Sequence, residues 1–137
     1  MSAMSSNLPT HLRTKKKLRI LCADDSSLLG DVLVKFFATA GHEVEHVLDG
    51  LAAWEKISKD ICYFDVLVTD HHMPGLTGLE LVELLRQSSF CGRIIVHGAS
   101  VADGDAEKYR SLGVTHVIAK AAEARELLEI VEAFHDT

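Results

Sequence analysis

Four side chains in this sequence of 137 residues have the types and positions for chemistry on a phosphate: Asp24, Asp25, Asp70 and Lys120. Each stands where a short apolar run ends, in "RILCADD", "FDVLVTD" and "THVIAK". Three carboxylates held within a few ångströms raise one another's pKa and cannot all stay ionised without a counter-charge. A divalent cation supplies one. Ligation by oxygen alone, with room for water and a phosphate, suits Mg²⁺, which takes one or two carboxylates plus substrate oxygens. A lysine opposite the metal adds a point positive charge for phosphoryl oxygens. Asp70 is then placed as the nucleophile, since a carboxylate can attack phosphorus and carry it as an acyl phosphate. Taken singly, each acid has a plainer reading, Asp24 or Asp25 as a helix cap and Asp70 as the cap of a loop. Only their convergence separates the two.

Convergence depends on the elements. "KLRILCA" and "FDVLVTD" are aliphatic runs that read as strands buried on both faces. Between them, Ser26 or Ser27 can cap a helix through "LLGDVLVKFFATAG", where Leu28, Val32, Phe36 and Phe37 fall near a helical period and Gly41 supplies the stop. "HEVEHV" alternates like a strand, and "GLAAWEKISKD" returns to helical spacing with Leu51, Trp54 and Ile57 on one side. Beyond Asp70, Thr77 and Glu80 form a capping-box pair ahead of "LELVELLRQS". "RIIVHGA", "DGDAEKYRSLG", "THVIAK" and "EARELLEIVEAF" follow as strand, polar helix, strand and amphipathic helix. Strict alternation of five strands and five helices predicts an α/β fold, a doubly wound parallel sheet with right-handed crossovers. Ligands of such sheets bind beyond the carboxyl ends of the strands, where strand order reverses. Asp24, Asp25, Asp70, His97, Gly98 and Lys120 all fall at such ends.

Composition narrows the class. The chain is 47% apolar and 25% charged, enough core for one soluble domain over 18–137. Residues 1–17 carry Arg13, Lys15, Lys16 and Lys17 with no acid, and read as a flexible basic tail. The rest holds ten basic against twenty acidic residues, a charge of −10 that argues against nucleic-acid binding. No apolar run reaches the roughly 18 residues of a membrane span and no leader is evident, so a cytoplasmic protein is expected. Cys22, Cys62 and Cys91 form no C-x-x-C and read as buried thiols rather than a disulfide framework or redox pair.

"ADD", "VTDHHMPG" and "VIAK", in this order and at these element ends, resemble the receiver domain of two-component response regulators, over about Lys17 to Phe134. The resemblance implies a flavodoxin-like (βα)₅ sheet of order 2-1-3-4-5. It implies that Asp70 is the phosphoacceptor, served by a histidine kinase or histidine phosphotransferase. Asp25 would ligate Mg²⁺ directly, Asp24 mainly through water, with Asp70 and the backbone carbonyl of His72 completing the protein ligands. Lys120 would contact the phosphoryl group, Met73, Pro74 and Gly75 would shape the turn below, and Gly78 would let the third helix start close to the site. Autophosphorylation from phosphodonors and slow autodephosphorylation would be the only turnover. The reporting face would lie on the fourth and fifth helices and the strand between them, where a homodimer could also form. Leu28 and Leu29 are candidates for kinase contact or for ordinary packing. No effector domain is expected beyond Thr137, and output is expected to pass to an unknown downstream protein.

The sequence departs from the family at the output positions. The switch hydroxyl at the end of the fourth strand falls on Gly98, which has none, and Ser100 could replace it only if the loop rearranges. The aromatic switch position falls on Val117. The proline after the lysine is Ala121, which predicts a trans Lys120–Ala121 bond where the family has cis, because a cis bond without proline costs about 2.5–4 kcal/mol. These departures leave a rival reading, a pseudo-receiver binding its partner independently of phosphorylation. A second rival, a phosphohydrolase of the haloacid dehalogenase class, needs an acid two residues after the nucleophile, where this chain has His72. Zinc held by His71, His72, His97, His42 and His46 is disfavoured: the one H-E-x-x-H match, "HEVEH" at 42–46, falls on an alternating run that reads as a strand rather than the helix this spacing needs, and His42 and His46 bracket that strand where they can face solvent. His97, Trp54, Phe36 and Phe37 are expected to pack.

Overall fold

The computed structural model describes residues 17–120 and 124–134. The predicted tail, Lys17 apart, and Ala121 with its Lys120–Ala121 bond lie outside the described residues. The chain alternates β1 (Arg19–Ala23), α1 (Ser27–Thr39), β2 (Glu43–Val47), α2 (Gly50–Lys59), β3 (Val66–Thr69), α3 (Gly78–Gln87), β4 (Arg93–Gly98), α4 (Asp103–Ser111), β5 (His116–Ala119) and α5 (Ala124–Ala133). All strand pairs are parallel and the order is β2-β1-β3-β4-β5, as the resemblance implies.

Successive side chains of a strand point to opposite faces, so the aliphatic runs supply two cores. Leu21, Ala23, Leu67, Ile94 and Val96 pack with Ala53, Ile57, Leu81, Leu85 and Tyr109 beneath α2, α3 and α4. Ile20, Cys22, Val66, Val68 and Ile95 pack with Leu33, Phe37, Leu127 and Val131 beneath α1 and α5. This two-sided burial explains why β1 and β3 read as continuous apolar runs. Among the described residues β5 lies at the edge, pairs only with β4, and is mostly exposed.

Helix starts follow the sequence signals. Leu29 N–H donates to Ser26 Oγ at 3.2 Å. At α3 the box is reciprocal: Glu80 N–H donates to Thr77 Oγ1 at 3.2 Å and Thr77 N–H donates to Glu80 Oε1 at 3.0 Å. The buried stripe of α1 differs from the expectation. It runs through Gly30, Leu33 and Phe37, whereas Leu28 (76% exposed) and Val32 (48%) face outward. On α2, Ala53 and Ile57 are buried, Trp54 packs partly, and Leu51 is exposed.

Two further expectations are corrected. Cys62 and Cys91 are exposed and joined as a disulfide with Cα atoms 4.9 Å apart, while only Cys22 is a buried thiol. The pair links the loops ahead of β3 and β4, neighbours in the sheet although 29 residues apart in sequence. His42 is buried rather than solvent-facing. Its Nδ1 accepts from Leu18 N–H at 3.1 Å, which leaves Nε2 to donate to Glu132 Oε2 at 3.3 Å, tying the start of β1 to α5.

Candidate functional site

Strand order reverses between β1 and β3, because β2 is added on one side of β1 and β3 on the other. Ala23 is in register with Thr69, so the next residues, Asp24 and Asp70, emerge side by side. Asp70 N–H donates to Ala23 O at 2.8 Å and Asp24 N–H to Val47 O at 3.0 Å, prolonging the ladder to the carboxylates. Gly98 is in register with Ala119, and Lys120 N–H donates to Gly98 O at 2.9 Å, bringing the lysine to the same rim.

Asp24 and Asp70 are 3% and 4% exposed, while Asp25 is open to solvent. The three offer carboxylate oxygens that all lie within 4.8 Å of one another. Lys120 Nζ donates to Asp70 Oδ2 at 2.8 Å and lies 3.2 Å from Asp24 Oδ2. Burial pulls the Lys120 ammonium down, but the hydrogen bonds it donates to Asp70 and Asp24 and the charges of these two acids outweigh it, so its pKa is raised above the ordinary 10.5. Asp70 Oδ1 accepts from His71 N–H at 2.8 Å, and Asp24 Oδ1 from Ser26 N–H at 2.8 Å. Every buried carboxylate oxygen is thus engaged, and one ammonium spans both acids. A hard divalent cation fits this donor set, with Asp25 as its solvent-side ligand.

The floor of the site depends on a close approach. A Cβ at Gly78 would lie 2.3 Å from Asp70 O and 3.0 Å from His71 Cα, so only glycine lets α3 begin here. Gly78 N–H donates to His71 O at 2.9 Å. Met73 is buried in the core below and the chain turns at Gly75, with φ +77°. His72 is exposed on this loop.

Around the output positions the picture differs. Gly98 is buried, and a Cβ there would meet Val101 Cγ2 at 2.9 Å and His71 Cβ at 3.1 Å. Ser100 is exposed, and no hydrogen bond joins its hydroxyl to the carboxylates among the described residues. Val117 is 37% exposed. A cavity of about 190 Å³ lined by Gly98, Ala99, Val101, Val117, Ile118 and Ala119 lies between the ends of β4 and β5.

The sequence reading missed two contributors. His46 Nε2 donates to the Asp24 backbone carbonyl at 2.9 Å, steadying the loop that carries both acids. His71 is buried, with Nδ1 2.5 Å from Tyr109 Oη on α4. Spacing gave no signal for either pair. His97 does pack: it is 2% exposed, and its ring nitrogens lack a well-formed hydrogen bond among the described residues. Burial lowers its pKa below the ordinary 6.5, and Lys120 adds to this while Asp24 and Asp70 oppose it.

The family model of the response regulator receiver domain matches residues 20–132. The chain is 31% identical over 118 residues to the chemotaxis protein CheY1 of Helicobacter pylori, covering 84% of this chain and 94% of that protein. It is 29% identical over 132 residues to the transcription factor prr1 of Schizosaccharomyces pombe, covering 96% of this chain and 24% of prr1. It spans a similar or smaller share of several other long relatives. The solved chemotaxis response regulator CheY4 of Vibrio cholerae superposes with a TM-score of 0.77 at 27% identity, covering 86% of this chain and 98% of that one. Receiver domains accept phosphoryl groups rather than turn over substrates, bind Mg²⁺ at an acidic pocket and interact with histidine kinases or phosphotransferases. On a sheet of this order, with a family match running through all five strands, the chain belongs to the response regulator receiver domains of two-component systems.

Proposed function

We propose that Asp70 accepts a phosphoryl group from a phosphohistidine donor in a Mg²⁺-dependent transfer. The observation that carries this reading is the single ammonium of Lys120 shared by Asp70 Oδ2 at 2.8 Å and Asp24 Oδ2 at 3.2 Å, with Asp25 beside them. In the transfer, an Asp70 oxygen forms the bond to phosphorus as the bond from phosphorus to the donor imidazole nitrogen breaks. Asp24, Asp25, Asp70 and the His72 carbonyl would hold Mg²⁺, which neutralises charge on the phosphoryl oxygens during transfer. Lys120, already within hydrogen-bond reach of the acceptor, exchanges a carboxylate contact for a phosphoryl oxygen. Hydrolysis of the acyl phosphate by water resets the site slowly, so the domain signals without multiple turnover.

The outward face of α1 suits the donor. Leu28, in the first turn after the loop of Asp25, and Val32 are exposed, and Val32, Lys35, Phe36, Thr39, Ala40 and Leu128 line an apolar groove of about 450 Å³ between α5 and the C-terminal half of α1. Leu29, by contrast, is partly buried against the core beneath α1. Output would pass through α4, β5 and α5 to a downstream protein or a second copy, with an altered switch at Gly98, Val117 and Ala121. The absence of a side chain at Gly98 and the cavity beside it also favour a second reading, an interaction module that works without phosphorylation. Incubation with Mg²⁺ and acetyl phosphate, followed by the intact mass, separates the two. One added phosphoryl group, which does not form when Mg²⁺ is chelated beforehand or in Asp70→Asn, is the expected result, and no adduct from any small donor supports the second reading.

A further inference from the structure

Among the buried residues of α4, Tyr109 stands alone. The helix begins at Ala102 without a side-chain cap, and its remaining residues are exposed or half-exposed. Within the helix itself Tyr109 is thus the one fully buried side chain, while Val101 and Leu112 at its two ends pack partly against the same core and Arg86 donates to the Leu112 and Gly113 carbonyls. The Tyr109 hydroxyl reaches His71, the residue that follows the phosphoacceptor.

We propose that His71 and Tyr109 report the state of Asp70 to α4, in place of the hydroxyl that Gly98 lacks. The inference rests on the phosphoacceptor reading of Asp70. Three contacts define the route. His71 N–H donates to Asp70 Oδ1 at 2.8 Å, His71 Nδ1 lies 2.5 Å from Tyr109 Oη, and His71 Nε2 lies 3.4 Å from Asp105 Oδ2, also on α4. The chemistry orients the network. A carboxylate only accepts, so Asp105 favours the proton on Nε2, which leaves Nδ1 to accept from the Tyr109 hydroxyl. The rings meet edge to face at 5.4 Å, adding a packing contact to the hydrogen bond.

Gly98 belongs to the same arrangement. A Cβ at that position would press on His71 Cβ at 3.1 Å, so the missing side chain leaves the space that His71 fills. The start of α3 is tied in as well, since Gly78 N–H donates to His71 O at 2.9 Å. Once either oxygen of Asp70 is bonded to phosphorus the group is an acyl phosphate, and Oδ1, whether the bridging or the carbonyl oxygen, is a poorer acceptor than an oxygen of a free carboxylate. The His71 amide then shifts, its ring moves with it, and Tyr109, the buried anchor within α4, is displaced or loosened. The route needs no hydroxyl at residue 98 and no ring at residue 117.

The test follows amide resonances of residues 103–111 in isotope-labelled protein titrated with beryllofluoride and Mg²⁺, a stable stand-in for the phosphoryl group. In the unaltered chain these resonances shift on binding. In Tyr109→Phe, which keeps the ring in the core and removes the hydroxyl, shifts around Asp70 persist while those of α4 are lost. His71→Ala loses the α4 response, and His71→Asn, whose side-chain oxygen can take the place of Nδ1 as acceptor, recovers it. An α4 response that persists in Tyr109→Phe or in His71→Ala overturns the inference. So does binding by the unaltered chain without any α4 shift, which leaves the phosphoacceptor reading intact. Absence of beryllofluoride binding in the unaltered chain overturns that reading first, and the inference with it.

Discussion

The carboxyl ends of β1 and β3 and those of β4 and β5 sit on one rim, yet they are built differently. At the first pair, every oxygen of Asp24 and Asp70 has a partner and a lysine spans the two acids. At the second pair, Gly98 offers no side chain, Val117 offers no ring, and a cavity of about 190 Å³ lies between them. Lys120 is the one residue of the second pair that serves the first. The difference teaches that accepting a phosphoryl group and reporting it are separable demands. The first needs charges at fixed distances, whereas the second needs only some element whose position depends on the acceptor.

If that separation is real, changes on the two sides should have different signatures. The largest effect is expected from Lys120→Met, which removes a preorganised donor to the phosphoryl oxygens and should slow transfer from acetyl phosphate by about 10²-fold or more. Phosphorylation rates at saturating Mg²⁺ check this. The same lysine predicts an alkaline limit. Its pKa is raised in the fold, so its stabilisation is fully present below the ordinary 10.5 and is lost as pH climbs through the raised value. Denaturant midpoints across that range should fall less in Lys120→Met than in the unaltered chain.

A control comes from the opposite end of the sheet. Reducing the Cys62–Cys91 disulfide releases a crosslink over 29 residues, and the loop-entropy relation puts its stabilisation at about 3–4 kcal/mol. Urea unfolding with and without reductant should show this loss, while Mg²⁺ affinity stays unchanged. On the output side, Gly98→Thr restores the family's hydroxyl but forces it against Val101 and His71, and should cost about 1–3 kcal/mol by overpacking. Phosphoryl transfer should survive. The smallest effect belongs to His97. Its pKa is lowered by burial, so its neutral form contributes stability above pH 6.5 that is lost as pH falls from 6.5 towards the lowered value. His97→Leu should flatten stability over that mildly acidic range, read from denaturant midpoints.

Legibility in the sequence tracks how local the determinants are. Asp24, Asp25, Asp70 and Lys120 were readable because strand ends mark themselves, each aliphatic run stopping at a charge. The box of Thr77 and Glu80 was readable because its partners are three residues apart. Cys62 and Cys91 were not, because only the pairing of β3 with β4 brings their loops together. His71 and Tyr109 are likewise joined by the packing of α4 and not by any spacing along the chain. On α1 the apolar residues outnumber the positions that face the sheet, so periodicity alone could not tell outward Leu28 and Val32 from inward Leu33 and Phe37. His42 reads as a polar strand flank until Leu18 and Glu132 are seen on either side of its ring.

The central claim is that one carboxylate, that of Asp70, forms the bond to phosphorus. Borohydride reduction after incubation with Mg²⁺ and acetyl phosphate tests it most directly, because an acyl phosphate on aspartate is reduced to the alcohol and leaves homoserine at its position. Peptide mass spectrometry should then find homoserine at residue 70 and nowhere else, with none formed when Mg²⁺ is chelated. Homoserine at Asp24 or Asp25, or a phosphoryl group recovered on His71 or His72 with residue 70 unchanged, would contradict the account.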